Sequence, residues 1–78
     1  MTHIETRKYL QNIVKISELK NLLSEILFTD NEYSLMEMYY LNHKPLDYIA
    51  DILGLSYSNT KKIHRQALKK VGTYLTQN

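Results

Sequence analysis

The sequence predicts an all-α domain, a tri-helical helix-turn-helix core with an additional N-terminal helix, giving four or five helices in 78 residues. Three stretches carry that expectation. Residues 46–71 read as a helix, a sharp turn and a second helix with opposed faces. Residues 4–28 hold apolar groups at helical spacing with no Gly or Pro among them. Between the two, Thr29-Asp30-Asn31-Glu32 has the form of a capping box that opens a further helix.

The first stretch predicts a helix over residues 4–28 with a wide apolar surface. Tyr9, Ile13, Ile16, Leu19, Leu23 and Ile26 make a candidate dimer surface of heptad type, interrupted by Asn12. The alternative is that this surface packs on the domain's own core. Ser17-Glu18 offers a second helix start. It divides the chain into an N-terminal helical arm, residues 1–16, and a helix-turn-helix domain, residues 17–78.

After the Thr29–Glu32 box, Leu35, Met36 and Tyr39 form the buried side of the next helix. It should end near Asn42 and His43, because Pro45 disfavours helical geometry at Lys44. Pro45 also suits the first turn of the following helix. There Ile49, Ala50 and Leu53, then Leu55, Thr60 and Ile63, put apolar or small groups where two crossed helices must touch. Gly54 supplies the positive φ that a tight inter-helix turn requires, and Ser56 or Ser58 can cap the last helix.

On that last helix, at about 100° per residue, Thr60, Ile63, Ala67, Val71 and Tyr74 fall in one arc. Ser58, Lys62, Arg65 and Lys69 fall on the opposite side, with Lys61 and Lys70 flanking them. Gly72 is expected to loosen the final turn, and the helix to stop near Thr76.

Charge is divided along the chain. Residues 1–56 carry −3 and residues 57–78 carry +5 with no Asp or Glu, so the net +2 conceals a basic end and an acidic remainder. A helix face with uncompensated cations suits a polyanion, since each phosphate neutralised releases condensed counterion. The competing reading is that Lys and Arg merely solvate an outer face; the turn pattern tips the balance to DNA.

No cofactor or metal is expected. His3, His43 and His64 lack a partner at metal-ligand spacing and read as surface residues, and there is no Cys. No glycine-rich phosphate loop or nucleophile motif is present, which points away from an enzyme. Tyr33, Tyr39 and Tyr40 lie on or beside a packing face and read as core. No apolar run approaches the roughly 20 residues of a membrane span, and the N-terminus lacks a secretory apolar stretch, so a cytoplasmic protein is expected.

Residues 19–71 resemble region 4 of bacterial sigma-70 family factors, which reads the promoter −35 element. The likeness lies in Phe28 with Thr29-x-x-Glu32 and Leu35-Met36, in Tyr48-Ile49-Ala50 leading to Leu53-Gly54-Leu55-Ser56, and most specifically in Lys62-Ile63 and Ala67-Leu68-Lys69-Lys70-Val71. LuxR-type response regulators share the turn. The base-reading positions of housekeeping factors fall on Tyr57, Ser58 and Lys62, where those factors carry Arg, Glu and Gln, so −35 specificity does not carry over. The chain reads as a lone module, not a complete sigma factor, and its composition suits an AT-rich bacterial or phage genome.

The expected function is sequence-specific binding of double-stranded promoter DNA by a dimeric transcriptional regulator, with residues 57–71 in the major groove. Tyr57, Ser58, Asn59 and Lys62 would meet base edges, and Lys61, Arg65 and Lys69 would hold phosphates. The alternative is a protein-interaction module, a co-regulator or anti-sigma-like protein, that binds RNA polymerase or a sigma factor through the acidic surface of residues 25–51.

Overall fold

A computed structural model describes residues 1–77. The order is α1 (His3–Gln11), α2 (Ile16–Ser24), α3 (Asp30–Met36) running into a π-helical turn (Glu37–Leu41), α4 (Leu46–Leu53) and α5 (Tyr57–Thr76). Among the described residues there is no strand. The all-α helix-turn-helix expectation is met.

The stretch expected as one helix over residues 4–28 is two. A straight helix of that length would run about 37 Å, beyond the 35 Å longest dimension of the domain. The chain instead breaks at residues 12–15, so that Leu10 from α1 and Leu19 and Leu23 from α2 enter the same core. α1 opens on a capping box that sequence reasoning passed over: the Glu5 amide donates to the Thr2 hydroxyl at 3.1 Å, and the Thr2 amide donates to the Glu5 carboxylate at 2.8 Å. The second start falls at Ile16, one residue before the expected Ser17.

This break corrects the heptad seam. Leu19 and Leu23 are 4% and 0% exposed. They belong to the core with Leu35, Met36, Ile49, Ala67, Leu68 and Val71, and a second copy cannot reach them. Ile13 and Ile26 are half-buried against that core, which leaves Tyr9 and Ile16 exposed, joined by Val14. Within residues 1–16, α1 packs along α5.

The capping box at α3 forms as read, the Glu32 amide donating to Thr29 at 3.2 Å and the Thr29 amide to the Glu32 carboxylate at 2.8 Å. α4 ends in a Schellman arrangement: the Leu55 amide donates to the Ala50 carbonyl at 3.0 Å and the Gly54 amide to that of Asp51 at 3.3 Å. Gly54 sits at φ +69°, the left-handed geometry its lack of a Cβ permits.

Gly72 does not loosen α5. The helix runs through it to Thr76, and a Cβ there would stand 3.2 Å from the Thr6 hydroxyl. The missing side chain lets α1 lie close across α5, which is the physical use of a mid-helix glycine.

Candidate nucleic-acid interface

The amino end of α5 is fixed by two devices of local chemistry. The Ser56 hydroxyl accepts from the Asn59 amide at 3.1 Å, so Ser56, not Ser58, is the cap. The Thr60 hydroxyl donates back to the Ser56 carbonyl at 2.8 Å while Thr60 itself is fully buried. The cap uses the Asn59 backbone amide, and the Asn59 side chain is exposed. The first turn of α5 contains no acid, so the partial positive charge of the helix amino end adds to the Lys groups.

Tyr57, Ser58, Asn59, Lys61, Lys62, Arg65 and Lys69 are all exposed. Ser58, Lys62, Arg65 and Lys69 share an arc of about 60°, and the Lys61 ammonium lies 5.2 Å from the centre of the Tyr57 ring. A contact of this kind restrains both side chains beside the first turn. The opposite face is committed to packing, with Thr60, Ala67 and Val71 buried and Ile63 half-buried. One face of α5 is locked and the other is cationic.

Lys70 leaves the cationic stripe. Its ammonium donates to the Glu32 carboxylate at 2.6 Å and to the Leu27 carbonyl at 3.2 Å. Burial pushes the Glu32 carboxyl up, yet the Lys70 and Thr29 hydrogen bonds together outweigh it and hold the carboxyl below its usual value. Lys70 therefore ties α5 to the start of α3. Thirty-eight residues of sequence separate the pair, a distance no local pattern signals.

His64 is the second correction, because it is core and not surface. It is 6% exposed, and its Nε2 lies 2.8 Å from the Tyr40 hydroxyl. The Tyr39 ring packs on the imidazole with centroids 4.9 Å apart. Consecutive Tyr39 and Tyr40 both reach His64 from the π-helical turn, whose wider winding lets neighbours share a side. Burial, reinforced by the positive charges of Arg7, His3 and Arg65, pulls the His64 pKa down to about 4. Burial likewise pushes the Tyr40 hydroxyl well above its usual range. A signal was available in the sequence: His64 stands three and four residues before Ala67 and Leu68, on their side of the helix.

Sequence reasoning also missed Lys44 and Tyr48 at the entrance to α4, where the ammonium lies 5.2 Å from the ring centre. Lys44 read only as a loop residue before Pro45. Among the described residues no group of three or more His, Asp or Glu side chains could hold a metal ion, and no helix is long and apolar enough to cross a membrane.

Residues 28–71 match the family model described as sigma-70, region 4. No curated protein and no solved structure matches the chain.

Proposed function

Since the match covers more than half of its residues, the chain belongs to the sigma-70 region 4 family of helix-turn-helix DNA-binding regions, and on that premise we propose that it is a sequence-specific regulator of transcription that reads duplex DNA with α5. One observation carries this reading: α5 presents Lys62, Arg65 and Lys69 without a neutralising acid, on a helix whose other face is locked into the fold. In the mechanism, α4 braces α5 so that its amino end enters the major groove. Tyr57, Ser58, Asn59 and Lys62 meet base edges, Lys62 donating to a guanine and the Asn59 side-chain amide pairing with an adenine. Lys61, Arg65 and Lys69 hold phosphates and set register.

A module this small makes few base contacts, and two copies reading half-sites about one helical turn apart would multiply them. With Leu19 and Leu23 removed from consideration, the surface for a second copy is Tyr9, Ile13 and Ile16 together with Val14, which is 92% exposed at the corner between α1 and α2. Lys15 and Glu18 stand beside it with opposite charge, as a self-complementary contact about a two-fold axis needs.

A second reading rests on a separate feature. Leu27 is 90% exposed and borders a groove formed with Ile26, Phe28 and Tyr33. Glu25 and Asp30, both exposed, lie beside those residues. An apolar groove with an acidic border suits a basic amphipathic helix of a protein partner such as RNA polymerase or a sigma factor.

Selection of fragmented genomic DNA by the purified protein at physiological salt, with sequencing of the retained fragments, separates the two. Enrichment of a defined, two-fold-symmetric sequence is the expected result. A folded helical protein that enriches nothing would overturn the DNA reading in favour of the protein partner.

A further inference from the structure

The family match begins at residue 28, so α1 stands outside it and owes the fold no inherited role. α1 nevertheless lies along α5, with Thr6 against Gly72. At about 100° per residue, the side of α5 that α1 covers, running through His64, Leu68 and Gly72, adjoins the cationic arc of Lys61, Arg65 and Lys69. A basic residue projecting from that edge of α1 would continue the stripe onto a second helix.

Arg7 is such a residue. It is exposed, and its Nη2 donates to the Tyr39 hydroxyl at 3.3 Å, using one of the five donors a guanidinium carries. Tyr39 rests on the His64 ring, and His64 is next in sequence to Arg65. Among the described residues Arg7 has no carboxylate partner, since the single ion pair is that of Lys70 with Glu32. Glu5, the nearest acid along α1, is engaged at the helix cap with Thr2. His3 lies one turn before Arg7 on the same side of α1.

We infer that α1 is a second element of the DNA interface, in which Arg7, held by the Tyr39 hydroxyl, grips a backbone phosphate outside the span that the recognition helix covers. Arg suits this task, because its planar fork bonds a phosphate through two N–H groups while another stays on Tyr39. The contact carries no sequence information; it lengthens the footprint and adds to affinity on every sequence. Tyr9, in the surface proposed for a second copy, stands roughly 160° round α1 from Arg7, so the two uses of this helix do not compete.

The inference rests on the DNA reading, and the test keeps the two apart. Affinity for a selected duplex is measured across a salt series for the wild type, Arg7→Gln, Arg7→Lys, Tyr39→Phe and Lys62→Ala, with thermal midpoints to verify folding and ethylation interference to map phosphates. Arg7→Gln should weaken all sequences several-fold and lower the slope of log affinity against log salt by about one phosphate's worth. It should also erase an interference signal at the edge of the footprint. Arg7→Lys should restore most of the slope, and Tyr39→Phe should retain it.

An Arg7→Gln protein with unchanged slope and footprint, beside a Lys62→Ala protein that loses specificity, would overturn the role of α1 and leave the DNA reading standing. An Arg7→Lys protein that restores none of the slope would also overturn it, by assigning the effect to the packing of Arg7 on Tyr39. A wild type that retains no duplex would refute the DNA reading and this inference together.

Discussion

Acid should destabilise this protein through His64, and the burial of its ring sets the sign. A neutral imidazole fits the pocket, with one ring nitrogen paired to the Tyr40 hydroxyl. A cation there is desolvated and faces Arg7, His3 and Arg65. The folded-state pKa is depressed to about 4 from 6.5, so the unfolded chain takes up the proton first, and stability present above pH 6.5 is lost as pH falls towards 4.

The 2.5-unit gap between those two values corresponds to about 3 kcal/mol in all, of which roughly 2 kcal/mol is lost between pH 7 and pH 5. For a domain of this size that is a fall in midpoint of roughly 8–16 °C. The assay is urea and thermal unfolding at pH 7 and pH 5 of the wild type and of His64→Gln, whose amide can still bond Tyr40 but does not titrate. The variant should be nearly flat over that interval and decline only at lower pH, where the unfolded chain takes up protons that the Lys70 and Thr29 hydrogen bonds keep off the folded Glu32 carboxylate. A His64→Gln protein that loses as much between pH 7 and pH 5 as the wild type would refute the assignment of the acid sensitivity to this pocket.

Division of labour along α5 predicts that Lys62→Ala costs about 1–3 kcal/mol on the preferred duplex and relaxes one base position, whereas Lys69→Ala weakens preferred and random duplexes alike; equal losses on both for the two variants would contradict it. Gly54→Ala should cost about 1–2 kcal/mol from backbone geometry alone, because nothing lies within 4 Å of the added Cβ; Gly54→Asn should cost less, since Asn tolerates the left-handed region, and denaturant midpoints give the comparison. Paired substitutions Val14→Asp and Ile16→Asp should convert a dimer to a monomer in sedimentation without lowering the thermal midpoint, both side chains being exposed; a dimer that survives them has its interface elsewhere.

Most of the local chemistry was legible in the amino-acid sequence, the Thr2–Glu5 box and the choice of Ser56 over Ser58 excepted. The Thr29–Glu32 box, the left-handed turn at Gly54, the Ser56 cap and the two faces of α5 depend on residues three or four apart, where propensity and hydrogen bonding act within one turn. The exposed seven, Tyr57, Ser58, Asn59, Lys61, Lys62, Arg65 and Lys69, could be read because helical periodicity alone decides which side chains face away from a packed stripe. Helix docking set the rest. Leu19 and Leu23 became core, not seam, because a chain bent at residues 12–15 turns them inward. Lys70 left the stripe for Glu32, His64 went inside with Tyr40, and Arg7 came to the Tyr39 hydroxyl. Each of those three outcomes joins residues 24 to 38 positions apart. Hydrophobic burial has no direction of its own, so which apolar face is covered, and which charges are brought together as a result, is fixed only when the helices dock.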